Sequence, residues 1–376
     1  MISISKILRQ AYRDYKANQA IDLGQLERGL ANRNNNADPQ QQEEIIRRII
    51  EAYHQALSID EGSLPPAYRV GGAWREDIRR RRQDYLDSLD AGDVKALEGL
   101  FANFFRNNGV AGLWEYGYYE EIVNGGKKTR KNFVAAILSD YRVWQDLVEN
   151  ATLADAAPPG VGNPWGYFLE NQLIMPNSLR HHYTARKVQN ILQDVPRPVV
   201  AEIGGGYGGF AYHLLKWEKP CTYIGFDIPI ILAMQTYYLM NAYPAKKFLL
   251  FENPEIRLTK NIIDQYDIIL LPNFHLPRLA DNTVDLFINT NSLSEMDYAT
   301  VKEYLSQVGR TCKRYFFHEN SDREVFNTGG HLEVAASQFP VPDHFKCLDK
   351  HYSPWGGGSG RQREYLYERF SSENCA

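Results

Sequence analysis

Apolar and polar positions follow two different rhythms along this chain of 376 residues. Up to about residue 180 the period is helical. In QQEEIIRRIIEAYHQAL the apolar residues Ile45, Ile46, Ile49, Ile50, Tyr53 and Leu57 fall on one stripe, which predicts an amphipathic helix. DAGDVKALEGLFANFFRN and RKNFVAAILSDYRVWQDLVEN follow the same period. NNNADPQQQ (34–42) reads as a polar loop. ATLADAAPPGVGNPWG is rich in small residues, Pro and Gly and reads as a linker.

From about residue 197 short apolar runs alternate with helical stretches. PVVAEI, CTYIGFD, KFLLF, YDIILLPNF, TVDLFINTN and KRYFFHE read as strands. GFAYHLLKWE, IPIILAMQTYYLMNAYP and DYATVKEYLSQVGRT read as helices. HFKCLDKHYSPW and REYLYERF, joined by GGGSGRQ, read as a hairpin. Such alternation predicts an α/β fold: a parallel sheet covered by helices on both faces, closed by an antiparallel edge.

One junction carries chemistry. Between the strand VVAEI and the helix GFAYHLL stand Gly204, Gly205, Gly206 and Gly208, and Gly209 opens the helix. Glycines there permit a tight turn and bring a ligand close to the main chain. The spacing satisfies the G-x-G-x-x-G pattern of dinucleotide sites, but Glu202 stands just before it. A pyrophosphate is repelled by an acid at that place, whereas an ammonium is attracted to one. S-adenosylmethionine offers an α-amino group and a sulfonium. Asp227 ends the second strand, where a carboxylate accepts from both hydroxyls of a ribose. The plainer alternatives are an ion pair for Glu202 and, for Asp227, the cap of a helix that has Pro229 in its first turn.

Taken together, EIGGGYGGFAYHLLK, GFDIP and LPRLADNTVDLFINTNSLSEMD resemble the class I S-adenosylmethionine-dependent methyltransferases over roughly residues 199–370. NPWGY, RHHYTARKV, QTYYLMNAYP, NSLSEM and FFHENSD narrow the resemblance to a bacterial sugar O-methyltransferase family tied to surface polysaccharide and glycan synthesis. The resemblance implies a Rossmann-like sheet of seven strands with a terminal hairpin. It implies a cofactor-binding domain over 197–376, connecting helices over 161–196, and a helical region over 1–160 that serves as lid, substrate site or dimer surface. The cofactor would lie against Glu202, Gly204, Gly205, Gly206, Asp227, Ile228, Asn273 and Asn291. Asn273 stands where many such enzymes place an acid near the adenine amine. RHHYTARKV would close over the methionine end or act only as a connecting helix.

A sugar hydroxyl is a poor nucleophile, so a base or a metal should help to remove its proton. Candidates for the catalytic group are His318, His331 and Glu295. Glu295, Asp297 and Glu319 form a possible carboxylate set for a divalent cation such as Mg²⁺. Tyr352 and Trp355 are candidates to stack on a sugar ring, or to close the core at the hairpin. The five arginines between Arg75 and Arg82 read as a solvated helix with i,i+4 pairs, or as a phosphate clamp.

The remaining composition narrows the classes. A net charge of −4 argues against general nucleic-acid binding. Cys221, Cys312, Cys347 and Cys375 form no CxxC pair, and no stretch reads as a membrane span or signal core, which points to a cytoplasmic enzyme with reduced thiols. A carbohydrate or nucleotide-sugar substrate and a homo-oligomer fit this picture. The main alternative is an NAD-dependent sugar oxidoreductase or epimerase, which would put the glycine turn near the chain start and use a Tyr-x-x-x-Lys relay.

Overall fold

The computed structural model describes residues 21–33, 38–107, 110, 118–323, 333–355 and 362–370. A small antiparallel hairpin, β1 (Tyr167–Leu169) and β2 (Gln172–Ile174), precedes the main sheet. The main sheet contains β3 (Val199–Ile203), β4 (Thr222–Asp227), β5 (Phe248–Leu249), β6 (Ile268–Pro272), β7 (Val284–Thr290), β8 (Cys312–Ser321), β9 (Phe345–Tyr352) and β10 (Gln362–Arg369). Their spatial order is β5-β6-β4-β3-β7-β8-β10-β9. Strands β5, β6, β4, β3, β7 and β8 run parallel, and β10 and β9 form the antiparallel end. The α/β, Rossmann-like class expected from the sequence is what the chain adopts. The sheet has eight strands rather than seven, because the two-residue strand β5 adds an outer edge beside β6.

Central strand β3 is apolar apart from Glu202 and is buried throughout, as a parallel strand covered on both faces must be. The order of connections reverses at β3: β4 lies on one side and β7 on the other. In doubly wound sheets the crevice above the carboxyl ends at that reversal is where ligands bind. Register places the key residues at this one edge. Glu202 lies opposite Gly225 of β4 and Ile288 of β7, and Asp227 lies opposite Pro272 of β6.

The helical half contains α1 (Leu23–Leu30), α2 (Pro39–Leu57), α3 (Gly72–Arg81), α4 (Gln83–Asp90), α5 (Val94–Phe101), α6 (Tyr118–Asn124), α7 (Lys127–Leu147) and α8 (Leu153–Ala156). After it come α9 (Ser178–Ile191), α10 (Gly209–Leu215), α11 (Pro229–Ala242), α12 (Lys260–Ile263) and α13 (Tyr298–Thr311). Two loop expectations change. Pro39 begins α2, capped by the Asp38 carboxylate accepting from Gln40 N. The stretch read as a linker holds α8 and the buried residues Ala156, Val161 and Trp165.

Helix α11 explains why the two halves belong together. Every residue from Ile230 to Leu239 is buried, so no face of this helix is left for water. The sheet covers one side, and α2 with Phe101 of α5 covers the other; the Phe101 and Tyr237 rings stack at 4.8 Å. The apolar core is continuous from Leu26 through Ile231 to Ile288. Among the described residues no helix is long and apolar enough to cross a membrane.

Candidate functional site

A cleft of about 770 Å³ opens above the carboxyl ends of β3, β4, β6 and β7. Its floor is the glycine turn, its sides include Asp227, Asn273 and Glu295, and the segment from Pro66 to Trp74 of the helical half also lines it.

The floor is built around Glu202, which is only 2% exposed. Its Oε2 accepts a 2.6 Å hydrogen bond from the Tyr223 hydroxyl, which in turn accepts from Gln235 Nε2. Glycine at 205 is what lets the turn descend onto this group. A Cβ there would lie 2.5 Å from Gln235 Nε2 and 2.8 Å from Glu202 Oε2. Gly204 has φ +73°, a left-handed conformation, and its Cβ would strike Ser292 Oγ at 2.2 Å. Burial pushes the Glu202 carboxyl up to about 8; Tyr223 opposes the shift and the neighbouring charge of Asp227 adds to it. The ion pair considered for Glu202 is not what holds it.

Asp227 sits at the tip of β4. Its Oδ2 accepts from Gly206 N at 3.0 Å and its Oδ1 from Ile228 N at 2.8 Å. The acid therefore ties the glycine turn to the second strand rather than capping α11, for which no side-chain cap is formed. Burial raises its carboxyl to about 7, against the pull of the two backbone amides and of Arg82. Each carboxylate oxygen keeps a further lone pair for a donor from the cleft. Ile228 lines the cleft beside it.

Asn273 stands one residue past β6. Its Nδ2 donates to the Tyr68 carbonyl at 3.1 Å and to the Tyr304 hydroxyl at 2.9 Å. Asn291 has φ +70°, lines the cleft, and leaves its Oδ1 without a hydrogen-bond partner.

Glu295 also lines the cleft and accepts from the Trp74 indole N–H at 3.2 Å. Crowding by the cleft walls raises its carboxyl, the Trp74 bond opposes this, and Glu333, Asp227 and Asp77 add to it; access to water through the cleft limits the rise.

Several expected residues are placed elsewhere. His318, expected as a catalytic group, lies within β8, which runs past the predicted KRYFFHE to Ser321. Its ring is sealed among Phe316, Phe339, Tyr365 and Tyr367, with centroids 4.8–5.8 Å away, and does not line the cleft. Burial lowers its pKa to about 3. The three carboxylates considered for a metal do not converge. Asp297 caps α13 by accepting from Thr300 N, Glu319 pairs with Arg180 at 2.9 Å and accepts from Ser353, and Glu295 holds Trp74. Among the described residues no group of three His, Cys, Asp or Glu side chains is set to hold a metal. His331 lies outside the described residues.

Trp355 is 6% exposed and packs edge-on to Tyr183, so it closes the core, while Tyr352 is 59% exposed and does not line the cleft. The arginine run is neither a free clamp nor fully solvated. Arg82 is entirely buried, paired with Asp77 and donating to the Val110 carbonyl, and Asp77 also pairs with Arg81 at 3.2 Å. Tyr298 and Lys302 do have the Tyr-x-x-x-Lys spacing of an oxidoreductase relay, but Tyr298 is 53% exposed at the start of α13 and neither residue lines the cleft.

The sequence reading missed Trp74, Tyr68 and Tyr304. Each comes from a helical segment whose pattern signals only packing. Trp74 and Tyr68 reach the site because the helical half folds over it, and Tyr304 reaches it from α13 of the sheet domain, where its hydroxyl accepts from Asn273. From RHHYTARKV, Arg180, His181 and Thr184 do line the cleft. The Tyr207 hydroxyl lies 3.2 Å from His181 Nδ1.

No family model matches the chain, and no curated protein matches it. Solved structures with partial likeness include several methyltransferases. Magnesium protoporphyrin IX methyltransferase from Synechocystis PCC 6803, with bound S-adenosylhomocysteine, is 12% identical over 51% of this chain and 84% of its own, with a TM-score of 0.36. The N-methyltransferase NodS from Bradyrhizobium japonicum WM9, in complex with S-adenosylhomocysteine, is 10% identical over 52% and 89%, with a TM-score of 0.35. The mitomycin 7-O-methyltransferase MmcR is 13% identical over 52% of this chain and 56% of its own, with a TM-score of 0.34.

Proposed function

We propose that this chain is an S-adenosylmethionine-dependent methyltransferase whose cofactor lies in the cleft above β3 and β4. The observation that carries the reading is the pair Glu202 and Asp227. Both line one cavity, both are pushed toward neutrality by burial, and the strongest charge acting on Glu202 is another acid. A buried carboxylate without a cation is costly, so such a site is built for a ligand that brings the positive charge. The residues fit that donor. Glu202 accepts from its ammonium, Gly204 to Gly206 pass beneath it, and Asp227 accepts from its ribose hydroxyls. Ile228 packs on the base and Asn273 meets its edge, while Asn291 lies toward the reacting end. When bound, the cofactor supplies a methyl group activated by the adjoining sulfonium.

The acceptor in this reading is a hydroxyl group, as on a sugar. Two buried acceptor atoms without partners, Asn291 Oδ1 and Gln362 Oε1, line the cleft and suit O–H donors. Glu295 is the base in this reading. Its carboxylate faces the cleft with a raised proton affinity, near the range in which a base works at neutral pH. Trp74 holds one of its oxygens, which leaves the other for the acceptor. The walls align acceptor and donor and exclude water.

Incubation with methyl-labelled S-adenosylmethionine and a panel of sugars, nucleotide sugars and short oligosaccharides tests the assignment. Label transferred to a hydroxyl supports it. Saturable NAD binding without binding of either S-adenosylmethionine or S-adenosylhomocysteine would reverse it.

A further inference from the structure

The Phe, Tyr and Trp side chains that line the cleft among the described residues are Trp74, Phe210, Phe226 and Tyr304. Phe210, Phe226 and Tyr304 are at most 2% exposed and belong to the core, whereas Trp74 is only half-buried. The buried guanidinium of Arg82 lies over the indole, 5.8 Å from a ring centroid, so protein backs one face and the other is left to the cleft. Arg82 is itself held by Asp77 and the Val110 carbonyl, which anchors the support beneath the ring. The indole N–H donates to Glu295 Oε2 at 3.2 Å. At a half-exposed position water would satisfy that N–H, so packing alone does not demand the bond. It couples a flat apolar surface of the helical half to the carboxylate assigned above as the base.

The topology sets this pair beside the cofactor's place rather than within it. In the reading above the cofactor spans β3 and β4, and Glu295 follows β7, on the opposite flank of β3. We infer that Trp74 is the platform on which a cyclic sugar acceptor lies, and the residue that positions Glu295 against one of its hydroxyls. The inference rests on the methyltransferase reading above. A pyranose carries C–H bonds on its faces and hydroxyls around its rim, and a C–H face packs on an indole at about 3.5–4 Å. The indole N–H points outward in the plane of its own ring. Glu295 is therefore held just off the platform's edge, where a rim hydroxyl of the stacked sugar falls. The oxygen of Glu295 that Trp74 leaves free takes the hydroxyl proton as the methyl group passes to the hydroxyl oxygen and the sulfonium becomes a neutral thioether. The proton then leaves to water through the cleft. Asn291 Oδ1 and Gln362 Oε1 line the same cleft without partners and accept from other rim hydroxyls. An open-chain polyol has hydroxyls but no flat C–H face, and it loses several bond rotations on binding. The site thus selects a ring.

The probes are methyl glycosides of common hexoses, nucleotide sugars and the open-chain polyol glucitol, offered to the full chain. With S-adenosylhomocysteine bound, saturation-transfer NMR should show the ring C–H protons of at least one cyclic sugar against the protein, and Trp74→Leu should remove that signal. Methyl transfer to that sugar should exceed transfer to glucitol by about tenfold or more in kcat/KM, and Trp74→Leu should raise its KM about tenfold. Trp74→Phe keeps a platform but removes the donor, so KM should stay within about threefold while kcat falls about tenfold. The acidic limb of its kcat profile should also move to higher pH. Burial raises the Glu295 carboxyl, the Trp74 bond lowers it, and Glu333, Asp227 and Asp77 raise it further, so losing that bond leaves a base that protonates sooner. Affinity for S-adenosylhomocysteine, read by calorimetry, should stay within about twofold in both variants, which shows that they are folded. An unchanged KM in Trp74→Leu, or equal use of glucitol by the wild-type chain, overturns the platform. An unmoved pH profile in Trp74→Phe overturns the positioning role. Loss of S-adenosylhomocysteine affinity in Trp74→Leu overturns the inference by returning Trp74 to the cofactor's own pocket. Failure of every cyclic sugar to bind beside S-adenosylhomocysteine overturns it while leaving the cofactor reading intact. No binding of S-adenosylhomocysteine at all removes both.

Discussion

The Tyr223 hydroxyl donates to Glu202 Oε2 across 2.6 Å, from one central strand to the next and beneath the glycine turn. This bond holds the acid in one orientation with no cation beside it. Its consequence is a site that prefers a proton when empty and a cationic ligand when filled. Glu202→Gln should therefore lower affinity for S-adenosylmethionine by more than tenfold in calorimetry. The fold should be retained, since an amide oxygen still accepts from Tyr223. Unchanged affinity would remove Glu202 from the site.

The same two acids set a pH dependence. Burial raises Glu202 to about 8 and Asp227 to about 7, so the folded chain holds protons that the unfolded chain releases. Stability from this source is largest near the ordinary carboxyl range and declines as pH rises through about 8. Thermal unfolding of the ligand-free chain should fall in temperature between pH 5 and 8, and Glu202→Gln should flatten that slope. Affinity for the cationic cofactor should move the other way and rise with pH over this range, with proton release seen in buffers of different ionisation enthalpy.

Gly205 tests the packing beneath the turn. Alanine there meets Gln235, Tyr223 and Glu202 within 2.9 Å, so the turn or the acid must shift. Gly205→Ala should weaken cofactor binding by about tenfold or more and cost about 1–3 kcal/mol of stability, read by chemical denaturation. Full affinity would show that the turn need not sit close to Glu202.

His318 offers the opposite signature. Its ring fills an aromatic stack below the sheet's edge, 0% exposed. His318→Ala should cost about 3 kcal/mol or more in denaturant unfolding, as other large-to-small core changes do, and leave the affinity of the folded protein for S-adenosylhomocysteine within about twofold. A large loss of affinity with normal stability would return His318 to the site.

These contrasts show what the amino-acid pattern could carry. Strand–helix alternation, the turn after Ile203 and the acid at Asp227 are local signals, and the fold placed all of them at one edge. His318 sits inside the run KRYFFHE, but its burial depends on Phe339, Tyr365 and Tyr367, which later segments bring against β8 and which no local pattern announces. Trp74 and Arg82 sit in a run that looks like surface charge. Only tertiary packing reveals that Arg82 is sealed against Asp77 and that Trp74 turns toward Glu295. Asn273 was legible as a departure from an acid, but the direction of its amide depends on Tyr68, 205 residues earlier in the chain.

Titration calorimetry of the full chain with S-adenosylmethionine, repeated with Asp227→Ala and Glu202→Gln, tests the central claim most directly. The account predicts saturable binding of one ligand per chain, weakened at least tenfold by each substitution, and no binding of NAD. Binding that persists undiminished in both variants, or NAD binding in place of S-adenosylmethionine, would contradict it.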